Sequence, residues 1–104
     1  MNYMAELNAF YDSLLTRPLS TNAIALYAVL MHLCNKARWP LTFVVAESTL
    51  VGLLGMSGRT IRRARAELVQ AGVVKHLERP GRQAPIYRMV SLSTKKSFSL
   101  VDIT

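Results

Sequence analysis

Apolar residues recur at helical spacing through most of this chain and give way to short β-prone runs near its middle and towards its end, and that change of period predicts the elements. From Tyr3 to Arg17, Tyr3 or Met4, Leu7, Phe10 or Tyr11, and Leu14 stand at heptad-like intervals ahead of Pro18, giving a helix with one strongly apolar face. Two heptads are too few to establish a coiled coil, so this face is expected to bury itself either on its own domain or against a second copy. Beyond Pro18, Ser20 is a suitable N-cap and Leu19 can staple onto Ile24. Ile24, Leu26, Tyr27, Leu30, Leu33 and Cys34 then mark a central core helix, which closes on Lys36 and Arg38 before Pro40. Thr42 to Val45 is a short β-prone run.

The stretch Glu47 to Gly72, ESTLVGLLGMSGRTIRRARAELVQAG, reads as two short helices around a tight glycine-containing turn. Leu50, Leu53 and Leu54 supply the apolar face of the first, Gly55 permits the reversal, and Met56 plugs the angle between the two. In the second, Ser57 is the cap and Ile61, Ala64 and Leu68 form the buried stripe; Arg59, Arg63, Ala66 and Gln70 project from the opposite side, flanked by Arg62 and Thr60. Gly72 is a left-handed stop. Val73 to Val90 then encloses the turn-rich Arg79-Pro80-Gly81-Arg82-Gln83-Ala84 between β-prone runs, as a hairpin would. Tyr87 and Met89 are expected on one face, while the inward member of Val73 and Val74 stays open. If Thr42–Val45 pairs with the hairpin, the chain is a mainly α fold with a small β-sheet: a winged helix-turn-helix with an extra N-terminal helix, over residues 1–92, followed by a C-terminal tail, 93–104.

Charge sharpens this picture. Lysine and arginine number 13 against 6 aspartates and glutamates, for a net charge of +7 and a pI near 10.2, and the excess collects in the second helix and the hairpin. A polyanionic partner, double-stranded DNA, is the leading expectation. Helix geometry nominates Ser57, Arg59, Thr60, Arg62 and Arg63 for the major groove, and Lys75, Arg79 and Arg82 for phosphates along the hairpin. Arg65 lies beside the buried stripe and is expected to lay its stem over the core. The competing readings are a transcriptional regulator with the same fold and a scaffold whose basic face meets an acidic protein.

Other chemistries find little support. His32, Cys34 and His76 lack metal-ligand spacing, and Gly52, Gly55 and Gly58 form a GxxGxxG without the lysine of a phosphate-binding loop. No nucleophile, base and orienting acid assemble, so neither catalysis, a cofactor nor a small-molecule substrate is expected. Trp39 next to Pro40 is a core or hinge anchor. A lone cysteine in an apolar run suits a reducing cytoplasm, and neither a signal peptide nor a run of the roughly 20 apolar residues that span a bilayer is present.

The segment LNAFYDSLLTRPLSTNAIALYAVLMHLCNKARWPLTFVVAESTLVGLLGMSGRTIRRARAELVQAGVV, with GRQAPIY after it, resembles the N-terminal winged-helix module of the DnaD-like replication proteins, especially the replisome organisers of phages of Gram-positive bacteria. The resemblance covers about residues 5 to 90, and LSTNAIALYAVLMHLCNKARWP, RRARAELVQAG and GRQAPIY are its most specific parts. It implies binding of double-stranded DNA at a replication origin, recruitment of other replication proteins, and self-association through this module, for which Tyr3, Leu7, Phe10 and Leu14 are the candidate face. Proteins of that kind usually continue through a polar linker into a helical C-terminal domain, whereas this chain stops at Thr104 after SLSTKKSFSLVDIT, as a single-domain form or a fragment would.

Overall fold

The computed structural model describes residues 2–94, so the expected tail lies outside the described residues apart from Ser93 and Thr94. Leu19–Val90 form one compact unit, and residues 2–18 group with residues 91–94 as another. The larger unit runs α2 (Thr21–Lys36), β1 (Phe43–Val44), α3 (Glu47–Leu54), α4 (Gly58–Gln70), β2 (Val74–Leu77) and β3 (Ile86–Met89), preceded in the chain by α1 (Tyr3–Ser13). This is the expected fold: mainly helical, with a helix-turn-helix, a hairpin wing and an additional N-terminal helix.

Caps set the helix starts. The Ser20 hydroxyl accepts from the Ala23 amide at 3.1 Å, and the Ser57 hydroxyl from the Thr60 amide at 3.2 Å, each satisfying a donor that the helix leaves orphaned. Gly55 ends α3 with φ +66°, a left-handed conformation that turns the chain directly into α4. Helix α2 stops at Lys36, short of the expected Arg38, because Arg38 and Trp39 both adopt positive φ, 66° and 60°, and the Trp39 amide returns to the Cys34 carbonyl at 2.9 Å.

Leu26, Leu30, Leu50, Ile61 and Leu68 are sealed from solvent and form the heart of the larger unit, with Ala23, Tyr27, Met31, Cys34 and Ala64. At about 1.5–3 kcal/mol for each large side chain fully buried, this interior is what holds α2, α3 and α4 together. Ile24 and Leu33, expected inside, are only half-buried, and Leu53 is 55% exposed, so α3 buries a narrower face than the leucine pattern suggests.

The three strands form one antiparallel sheet in the order β1-β3-β2, with Phe43 opposite Tyr87, Val44 opposite Ile86, and Val74, Lys75, His76 and Leu77 opposite Met89, Arg88, Tyr87 and Ile86. Strand alternation sends Phe43, Val74, His76, Tyr87 and Met89 to the covered face, where Phe43 stacks on Tyr87 at 6.0 Å. Val73, just ahead of β2, is buried as well as Val74, which settles the choice between them in favour of both.

In the smaller unit, Asn2 caps α1 by accepting from the Ala5 amide at 3.0 Å. The helix ends at Ser13 instead of continuing to Arg17: its last turn tightens into i→i+3 bonds at Leu14, Leu15 and Thr16, and Pro18 disfavours a helical residue before it. Glu6 is buried, although its position in the pattern gave no hint of it. Its carboxylate accepts from the Leu92 amide at 2.7 Å, the Ser93 amide at 3.3 Å, and the hydroxyls of Ser91 and Ser93 at 2.8 and 2.5 Å. Burial alone would raise its pKa, but these donors together outweigh it and leave the carboxyl below its ordinary value.

Candidate nucleic-acid interface

Helix α4 is amphipathic in the manner required of a helix that presents cations. Ile61, Ala64, Arg65 and Leu68 are buried, while Arg59, Arg62, Arg63, Ala66, Val69 and Gln70 are exposed. Arg59 and Arg63 stand one turn apart on the outward side, and neither has a hydrogen bond or ion pair among the described residues. Ser57 and Thr60 begin the helix with their hydroxyls 3.0 Å apart. Thr60 and Arg63 also line an open recess with Ser20, Asn22 and Glu67, which brings the start of α2 beside the outward side of α4.

Arg62 differs from its neighbours, because its Nη1 lies 2.9 Å from both carboxylate oxygens of Glu47 at the start of α3. Gly58 leaves room for the clamp: a Cβ there would stand 2.7 Å from Glu47 Oε2, and the carboxylate would have to shift. Both partners are well exposed, so the pair contributes at most about 1 kcal/mol, yet it holds one guanidinium across the helix-turn-helix corner and places a carboxylate beside the basic face. Sequence distance conceals this pairing; its only trace is an acid in the first turn of α3.

Arg65 is the buried arginine, 8% exposed. Its Nη1 donates to the Tyr87 hydroxyl at 3.1 Å and its Nη2 to Glu78 Oε1 at 3.3 Å, which fastens α4 to the wing. His76 Nε2 lies 3.3 Å from that same Glu78 oxygen, within ion-pair distance but without the alignment of a hydrogen bond. Burial, with Arg65 second, holds the His76 pKa below its ordinary value, so the imidazole is neutral at pH 7. Burial likewise pushes the Tyr87 hydroxyl and the Cys34 thiol up.

The wing places Arg79 and Lys75 differently from Arg82. Arg79 is half-buried and turns back on its own loop, where Nε donates to the Ala84 carbonyl at 2.7 Å; it braces the tip, and only Arg82 extends freely from it. Lys75 pairs with Arg88 in the outward row of the sheet, whereas Arg65 engages Tyr87 on the covered face, so Lys75 projects from the side of the sheet that α4 does not cover. The structure therefore groups Ser57, Arg59, Thr60, Arg62 and Arg63, and sets Lys75 apart. Alternation along a four-residue strand was too short to reveal that without the register.

Of the face nominated for self-association, Phe10 is 0% exposed in the single chain, as burial on its own domain requires, while Tyr3, Leu7 and Leu14 are half-buried. Among the described residues no three His, Cys, Asp or Glu side chains gather as metal ligands, and no helix is long and apolar enough to cross a membrane. In comparison with known proteins, no family model matches this chain, nor does any curated protein or solved structure.

Proposed function

We propose that this chain binds double-stranded DNA, with α4 lying in the major groove and Arg82 of the wing on the backbone, and that it acts at the initiation of replication, in the manner of the replisome organisers its sequence resembles. The observation that carries the DNA reading is an asymmetry of charge. All three carboxylates between Leu19 and Val90 are engaged, Glu47 by Arg62, Glu67 by Ser20, and Glu78 by Arg65, while Arg59, Arg63 and Arg82 have no such partner among the described residues. Guanidiniums without an ion pair, two of them on a helix held by a packed stripe beneath it, suit phosphates or a guanine edge.

The test is a fluorescence-anisotropy titration of duplex DNA across salt concentrations. If about four phosphates are neutralised, the logarithm of affinity falls against the logarithm of salt with a slope near −3.5. A salt-independent affinity, or no binding at low salt, rejects the reading. The replication role is tested separately, by whether origin DNA competes better than random duplex of equal length.

A further inference from the structure

The outward face of the sheet is used neither by the core nor by α4. Register places Val44, Ile86 and Leu77 side by side across all three strands, and cross-strand partners point to the same side. Val44 is 53% exposed, Leu77 61%, and Ile86 between them is half-buried. With strands about 4.8 Å apart, the three form an apolar bar roughly 10 Å long. Two residues along the strands, Lys75 and Arg88 sit opposite one another on the same face, both exposed and without an ion pair among the described residues. Like charges directly opposite each other on a sheet disfavour the free state, and a carboxylate placed between them would relieve that.

We propose that this face docks an acidic protein segment whose carboxylates are interspersed with apolar side chains. The spacing matches: the cationic pair lies about 7 Å from the apolar bar, the distance between residues i and i+2 on one side of an extended segment. A DNA backbone would satisfy Lys75 and Arg88 but leave Val44, Ile86 and Leu77 facing water or phosphate. A second copy of this sheet would offer Lys75 and Arg88 no carboxylate, since the outward strand positions are Val44, Lys75, Leu77, Ile86 and Arg88, in a chain of net charge +7. An acidic-apolar segment answers both halves of the surface, and it leaves α4 free for duplex DNA.

The experiment begins by panning a phage-displayed library of random short peptides on the whole chain and titrating a selected synthetic peptide by anisotropy. Enriched peptides are expected to mix glutamate or aspartate with apolar residues. Val44→Ser/Leu77→Ser and Lys75→Glu/Arg88→Glu should each weaken the chosen peptide at least about tenfold, as loss of a central contact does. Arg59→Ala/Arg63→Ala should leave it unchanged, so failure of the DNA reading would not be mistaken for failure here. Thermal melts check folding, and Lys75→Gln/Arg88→Gln carries the charge test if the reversal unfolds. Enrichment of neutral or basic peptides, no enrichment, or binding indifferent to these variants overturns the proposal. So does loss of duplex affinity in Val44→Ser/Leu77→Ser, which would assign the face to nucleic acid, or conversion of a dimer to a monomer by that variant, which would assign it to a second copy.

Discussion

On its inward side α4 spends an arginine as a structural bolt, while on its outward side it leaves two others unattached. Arg65 and Arg63 are two positions apart and chemically identical, yet one is sealed against Tyr87 and Glu78 and the other faces water. What separates them is angular position about the helix axis, which sets Arg65 against Tyr87 and Glu78 while Arg63 shares an open recess with a Glu67 already held by Ser20. A count of basic residues therefore overstates the surface available to an anion: Arg65 is consumed by the fold, Arg62 is clamped by Glu47, and Arg79 braces its own loop.

The largest effect expected on either side is at the stripe beneath both. Ile61→Ala should cost about 3 kcal/mol in urea unfolding, since it opens a cavity where α2, α3 and α4 converge. Next comes Arg65→Met, which strands the buried Tyr87 hydroxyl and should cost about 2 kcal/mol of stability without altering the salt slope of duplex binding. An unchanged melt in that variant would break the distinction between the two sides. Arg59→Ala and Arg63→Ala should invert the pattern, each losing about 1–2 kcal/mol of duplex affinity while unfolding stays within about 0.5 kcal/mol of the parent.

A pH series sharpens the inward side further. Because the folded state holds the His76 pKa below 6.5, the unfolded chain takes up that proton first as pH falls. The contribution of His76 is therefore fully present above pH 6.5 and is lost on descending from there towards its folded value. Urea midpoints between pH 7.5 and 5.5 should drop less in His76→Gln than in the parent. The smallest change is expected from Glu47→Gln, which releases Arg62 and removes a negative charge beside the basic face; duplex affinity should rise by about 0.5 kcal/mol, and a fall would mean that the clamp positions Arg62 productively.

Much of this frame was legible in the sequence because it is written in local chemistry. Ser20 and Ser57 as caps, Gly55 as the reversal, Ile61-Ala64-Leu68 as the stripe, and the pairing of Phe43–Val44 with the hairpin all follow from spacing and residue type. What stayed hidden depends on distance or register. Glu47 reaches Arg62 across 15 positions and Ser20 meets Glu67 across 47, neither of which a periodic pattern can report. Lys75 looked like a companion of Arg82 until the strand register set it on the side of the sheet that α4 does not cover, and the burial of Phe10 stayed open because a heptad does not say what will cover it.

Ser20 and Glu67 carry a consequence for motion. The Glu67 carboxylate accepts from both the amide and the hydroxyl of Ser20, at 3.0 and 2.5 Å, and that hydroxyl in turn caps α2 at Ala23. The first turn of α2 is thereby tied to the last turn of α4, and the protection of amide hydrogens at the two places is expected to fall together. In Glu67→Gln, faster exchange at Ala23 would be the sign that this tie, which supplements the packed stripe beneath α4, had loosened.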